Sequence, residues 1–226
     1  MADDLDTQAR RFAAETSELL NGTVTDGIRM SALSTTRGRT IMGAGVKKTQ
    51  ASPDPIPIAP SGSKALVYLY LMHSYELDPE GVYLTMSTST MSLYTSPEME
   101  NDQLVVGIDY VRTPGNQYPG SHLHVAGHRE DLDAIYLGDE RKTRQLRDLH
   151  LPVGGKRFRP TLEDLIEFMV TEEMVVPRPQ WRRVLDEHRD RWTRIQVKAA
   201  TRRYQEDAAR ALREAGWHTS PPQSAT

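Results

Sequence analysis

The spacing of apolar positions changes along this chain, and each change predicts a different kind of element. Over residues 4–20, Leu5, Phe12, Leu19 and Leu20 sit among good helix formers, and Asn21-Gly22 follows as a stop signal, which predicts an N-terminal helix. Residues 28–46 break into β-type or irregular fragments rich in Gly, Ser and Thr. Pro53, Pro55, Pro57 and Pro60 then exclude regular structure, so 51–60 reads as a linker or an extended strap.

The centre of the chain is a run of strand candidates. Residues 66–75 are almost continuously apolar or aromatic, as in a strand buried on both faces, whereas Val82, Leu84 and Met86 alternate with Tyr83, Thr85 and Ser87. Asp78-Pro79-Glu80-Gly81 between them is a turn signal, and the pair reads as a hairpin. Residues 104–111 and 122–126 follow, separated by a loop over 113–120 whose Pro and Gly content excludes a continuing strand. Short loops between sequential strands favour an antiparallel meander.

The helical period then returns. Residues 129–148 are highly charged and read as an exposed loop or short surface helix, 149–153 regain strand character, and Gly154-Gly155 marks a turn. Thr161 is placed to cap a helix with Asp164 three residues on, and Leu162, Leu165, Ile166, Met169 and Val170 recur at helical spacing, a stripe fit to cover one face of a sheet. A second long helix is expected over 180–215, ending at Gly216, with an intermittent stripe of Trp181, Leu185, Trp192, Ile195, Ala199 and Tyr204. The sum is an α+β fold: an N-terminal helix, a central antiparallel sheet of about five strands and two C-terminal helices. Its expected organisation is a helix over 1–22, an irregular Gly/Pro-rich segment over 23–63, an α+β core over 64–176, a basic helix over 177–217 and a disordered tail over 218–226.

Composition narrows the chemistry. The chain has 226 residues and no cysteine, which removes disulfides, thiolate catalysis and cysteine-based metal sites, and leaves histidines and carboxylates as the candidate ligands. A net charge of −3 gives no general attraction to nucleic acid or anionic membrane, so any phosphate-binding surface has to be local. One local excess exists: between Arg178 and Gly216 eleven Lys/Arg face six Asp/Glu. The acidic start Met1-Ala2-Asp3-Asp4-Leu5-Asp6 does not read as a secretory signal and no apolar run is long enough to cross a bilayer, so a cytoplasmic location without membrane contact is expected.

Three of the seven histidines fall within Ser121-His122-Leu123-His124-Val125-Ala126-Gly127-His128. On a strand, His122 and His124 project from one face while Leu123 and Val125 project from the other, about 7 Å apart at the backbone. Three readings follow. A metal ion could be held by His122, His124 and either His128 or His150, with Asp109 on the preceding strand as a carboxylate that can lie opposite. Without metal, one imidazole could take a 2′-hydroxyl proton while the other protonates the leaving oxygen, with Arg129, Lys156, Arg157 and Arg159 stabilising phosphate charge. In the third reading the histidines are structural. Separately, Arg182, Arg183, Arg194 and Arg202 on the C-terminal helix could contact nucleic acid or a partner protein, or form a solvated face of i,i+4 pairs such as Glu187 with Arg191.

The segment from Ser121 to His128, with Leu149-His150-Leu151-Pro152-Val153, Phe158-Arg159-Pro160-Thr161-Leu162 and Leu165-Ile166-Glu167-Phe168-Met169, resembles a pattern of uncharacterised bacterial proteins of domain-of-unknown-function type, in which a Ser-His-Leu-His strand precedes an apolar-Pro strand and a helix. The HxH strand followed by a Pro-Thr-Leu-Glu helix start is also loosely similar to TumE-type toxins of toxin–antitoxin pairs. The resemblance covers about a fifth of the chain and implies a bacterial protein, beside defence or mobile-element genes. The expectation is therefore a toxin-type or defence effector acting on nucleic acid through His122, His124 and His150, including as a ribonuclease. The alternative is a non-enzymatic binding or assembly protein that uses its Arg-rich helix; cofactor and metal are left open.

Overall fold

The computed structural model describes residues 4–35, 38–60, 62–115, 119–127, 151–153 and 159–220. His128, Arg129, His150, Lys156 and Arg157, the charged stretch before His150 and the Gly154-Gly155 turn lie outside the described residues, as does the tail beyond 220. The chain divides into two compact units, Met1–Leu185 and Asp186–Thr226.

In the first unit, α1 (Leu5–Thr23) is capped by Asp4, whose side chain accepts a hydrogen bond from the Thr7 amide at 2.8 Å. The helix runs past the expected stop, because Asn21 and Gly22 have other uses. Asn21 bridges the following turn, donating to the Ile28 carbonyl at 2.7 Å and accepting from the Ile28 amide at 2.8 Å. Gly22 admits Val184: a Cβ there would lie 2.8 Å from its Cγ1. Ala9, Ala13, Thr16, Leu19 and Leu20 form the buried stripe.

The sheet is antiparallel and wider than the five or so strands expected. Its strands are β1 (Met30–Ser34), β2 (Thr40–Ala44), β3 (Ile56–Pro57), β4 (Tyr68–Leu77), β5 (Leu84–Tyr94), β6 (Leu104–Val111), β7 (Ser121–Val125) and β8 (Leu151–Pro152). They run in the order β1-β2-β4-β5-β6-β7-β8, and the two-residue β3 pairs with β4. The additional strands come from the Gly/Pro-rich segment, where β1 and β2 pair from Met30 opposite Ala44 to Ser34 opposite Thr40. Glycine permits the strap to pack there: Pro53 is buried on Gly43, at which a Cβ would lie 2.3 Å from the proline Cγ. The meander β4-β5-β6-β7 is as the short loops predict.

One irregularity resets the pattern of β5. The pairing with β4 shifts between Ser74 and Tyr75, leaving Ser87 as the extra residue of a bulge, with its hydroxyl on the Ser74 carbonyl at 3.1 Å. Leu84 and Met86 therefore meet the core on one phase, and Met91 and Leu93 on the next.

Leu69, Leu71, Tyr75, Met91, Leu93 and Ile108 face one side of the sheet, where they pack with α1 and with α2 (Leu162–Thr171). The α2 helix starts as its sequence requires, on a capping box in which the Thr161 side chain accepts from the Asp164 amide and Asp164 accepts from the Thr161 amide at 2.8 Å. Leu162, Leu165, Ile166 and Met169 are buried beneath it. Strand alternation sends Asp109, Gly107, His122, His124, Tyr70, Thr90 and Ser92 to the opposite face.

The expected single C-terminal helix is two, α3 (Trp181–Arg203) and α4 (Gln205–Glu214), divided at Tyr204 with φ −124° and ψ 57°. Charge placement agrees with the division. Arg202 and Arg203 occupy the last turn of α3, Glu206 and Asp207 the first turn of α4, each the sign that complements its helix end. No helix among the described residues is long and apolar enough to cross a membrane.

Candidate metal centre on the β6–β7 face

The register of β6 and β7 assembles the site. Asp109 lies directly opposite His122 and Gly107 opposite His124, so the carboxylate and both imidazoles rise from adjacent positions on one face. The imidazole centroids are 5.0 Å apart and nearly perpendicular, at 83°. Asp109 Oδ2 lies 3.4 Å from His124 Nε2 and 4.0 Å from His122 Nε2. One donor atom from each of the three residues falls within 4.8 Å of the other two.

The His122 ring is fixed from behind. Its Nδ1 lies 2.9 Å from the Pro119 carbonyl oxygen, and since a carbonyl can only accept, Nδ1 carries the proton. With Nδ1 so engaged, Nε2 is the ring nitrogen turned toward Asp109. Among the described residues no hydrogen-bond donor reaches the other carboxylate oxygen, Asp109 Oδ1, which is buried. Access is graded across the cluster, with side-chain exposures of 9% for His122, 20% for His124 and 30% for Asp109, so the group opens on the Asp109–His124 side.

The neighbouring row, Ser92, Gly107 and His124, continues the same face. Gly107 keeps the space beside His124 low: a Cβ there would lie 3.2 Å from Ser92 Oγ and 3.5 Å from the His124 Cβ. Tyr94 borders it, its phenol raised above the ordinary tyrosine pKa chiefly by burial and further by the charge of Asp109, against the opposing effect of a hydrogen bond with Ser92. Tyr94 therefore keeps its proton and can donate it in a hydrogen bond.

Comparison with protein-family models, curated proteins and solved structures finds no match. The site is read from its own geometry.

Of the residues singled out in the sequence, the structure brings His122 and His124 together and adds Asp109. Arg159 goes elsewhere. Its guanidinium stacks 4.3 Å over the Tyr110 ring and its Nη2 lies 3.5 Å from Met86 Sδ. Tyr110 follows Asp109 on β6 and so projects from the other side of the sheet. Burial lowers the pKa of Arg159, a setting that suits packing in the core and does not suit the phosphate-binding role expected for it beside the histidines.

The arginines of the C-terminal helix are largely engaged with side chains of their own segment. Arg182 pairs with Glu167 and stacks 4.1 Å over Trp181, while Arg183 donates to Gln180 at 2.6 Å. Arg194 pairs with Asp190 at 2.7 Å, one turn away, and Arg202 closes α3. The Arg183 and Arg194 contacts are the i,i+3 and i,i+4 type of a solvated helix face, whereas Arg182 reaches across to Glu167 of α2.

In the sequence Asp109 stands out only as a carboxylate that can oppose the histidines, and nothing local marks Tyr94, Ser92 or Gly107 as its neighbours. The signal for Asp109 was a single carboxylate in the otherwise apolar Val105-Val106-Gly107-Ile108, followed by Tyr110. A Pro/Gly loop of that length does not set which residue of one strand opposes which of the next, so the partnership needed the register.

Proposed function

We propose that this chain cleaves phosphodiester bonds of nucleic acid at the β6–β7 face, with His122, His124 and Asp109 as the reacting cluster. The observation that carries the reading is the convergence of two imidazoles and a carboxylate, 3.4 and 4.0 Å from carboxylate oxygen to ring nitrogen, on a partly exposed sheet face. A sheet face that served only as scaffold has no use for three such groups side by side, since each half-desolvated polar group costs free energy unless it is paired. Their chemistry suits transfer of protons or binding of a cation beside a substrate phosphate. The toxin-type or defence role implied by the sequence resemblance is the cellular setting of the proposal.

The test is direct. Purified protein is incubated with end-labelled single-stranded RNA and, separately, DNA, and products are resolved on denaturing gels. Cleavage by the wild type and its loss in a His122→Ala/His124→Ala double variant that retains the wild-type circular dichroism spectrum are expected. Equal cleavage by wild type and variant, or none by either across both substrates, overturns the reading.

A further inference from the structure

The cluster is better built to hold a cation than to work as a bare pair of imidazoles. We propose that His122 Nε2, His124 Nε2 and a carboxylate oxygen of Asp109 are the three protein ligands of a divalent first-row transition ion of the zinc class, with the remaining coordination positions left to water or substrate. Metal binding stands on ligand geometry alone, and its use in phosphodiester cleavage rests on the reading given above.

Four features point the same way. The first is the donor set: two imidazoles and one carboxylate on adjacent strands are the hard-to-borderline combination that zinc, iron and manganese accept, with open positions remaining. The second is spacing. Around an ion with bonds of about 2.0 to 2.2 Å, neighbouring donor atoms stand about 3 to 3.5 Å apart. The His124–Asp109 separation of 3.4 Å already meets this, the His122–Asp109 separation of 4.0 Å has to close by about 0.5 Å, and no two of the three donor atoms stand more than 4.8 Å apart.

The third feature lies behind the ligands. A metal-bound histidine ordinarily donates its other ring N–H to a carbonyl or carboxylate, which fixes the tautomer and aims the lone pair. His122 does this through Nδ1 to the Pro119 carbonyl, 2.9 Å away. The fourth is the carboxylate. Among the described residues Asp109 Oδ2 lies against these two imidazoles, its Oδ1 is buried without a donor, and Arg159 stands on the other side of the sheet. An anion so placed would repel a substrate phosphate. A divalent ion reverses the sign of the field at that point and supplies the positive charge a phosphoryl group needs.

The experiment uses the full chain, stripped with EDTA and dialysed. Calorimetric titration with zinc chloride is expected to show one ion per chain, and titration with cobalt chloride should develop visible absorption bands that saturate at the same ratio. Asp109→Asn, nearly isosteric, and His124→Ala should each weaken binding by roughly 100-fold, while His218→Ala, far along the C-terminal unit, should leave it unchanged. The proton spectrum of the cobalt form needs no variant: exchangeable, paramagnetically shifted signals from two imidazole N–H groups are expected.

Absence of saturable binding by the wild type, binding unaltered by Asp109→Asn and His124→Ala, or a cobalt spectrum without shifted imidazole protons would each overturn the site. Cleavage assays on the same samples separate the two proposals. Saturable binding with no cleavage removes the phosphodiester reading and keeps the metal; cleavage that persists in EDTA-stripped protein, without zinc binding, does the reverse.

Discussion

Replacing His73 should remove a large part of this protein's sensitivity to mild acid. His73 lies on the core side of β4, only 5% exposed, with its Nδ1 2.9 Å from the Tyr75 hydroxyl and its ring 6.3 Å from that of Phe12. Burial, with a smaller contribution from the Arg159 charge, lowers its pKa from 6.5 to about 3. The folded protein thus keeps the imidazole neutral where the unfolded chain protonates it. Stability from this site is complete above about pH 6.5, and it falls by about 1.4 kcal/mol per pH unit as pH drops from there toward 3. Between about pH 7 and pH 5 the loss is about 2 kcal/mol. The perturbation is His73→Leu, which is close in volume and cannot titrate. It should lower stability at neutral pH by about 1 to 3 kcal/mol, because the Tyr75 hydroxyl loses its partner. Its further loss on acidification should be smaller than that of the wild type by about 2 kcal/mol. Urea unfolding followed by circular dichroism at both pH values measures the difference, and Tyr75→Phe, which keeps the imidazole, should retain the wild-type acid dependence. If wild type and His73→Leu lose the same stability between the two pH values, the buried neutral imidazole is refuted.

Other substitutions test the packing that positions the site. Thr161→Ala removes the α2 capping box and should cost about 1 kcal/mol in urea unfolding, with Thr161→Ser recovering most of it. Gly43→Ala places a Cβ 2.3 Å from Pro53 Cγ and 3.1 Å from the Leu71 carbonyl, and should destabilise the protein by about 1 to 3 kcal/mol, read as a lowered thermal midpoint. Gln8→Ala deletes the side chain that donates to the Val82 carbonyl and accepts from the Leu84 amide, at 3.0 and 2.9 Å, and should cost about 1 to 3 kcal/mol while speeding amide exchange at Leu84.

Local signals made most of the fold legible. The cap Thr161 with its Asp164 partner, the apolar stripe that follows and the Asp78-Pro79-Glu80-Gly81 turn each act over a few residues, and each appears where the sequence places it. What escaped depends on contacts between distant segments. Gly22 reads as a helix stop until Val184 is found against it, and the strands β1 and β2 are hidden by glycines whose reason is the approach of Pro53 and Asp54. The bulge at Ser87 shifts the alternation of β5 midway, so a single two-residue period fitted to Val82, Leu84 and Met86 cannot carry on to Met91 and Leu93.

The same distinction governs the site. Alternation within β7 sufficed to put His122 and His124 on one face, because that relation is fixed inside one strand. The side of Arg159 and the partnership with Asp109 are relations between strands and loops. A register slip of one residue between β6 and β7 would set Ile108 or Tyr110 opposite His122 and turn His122 and His124 to the core side, away from Asp109. The observed register is the one that buries Ile108, Tyr110 and Ser121 on the helix-covered side. The apolar core therefore selects the pairing, and the pairing delivers the carboxylate to the imidazoles. A substitution that loosens Ile108 or Leu123 in the core should accordingly disturb Asp109, His122 and His124 together, although it touches none of them.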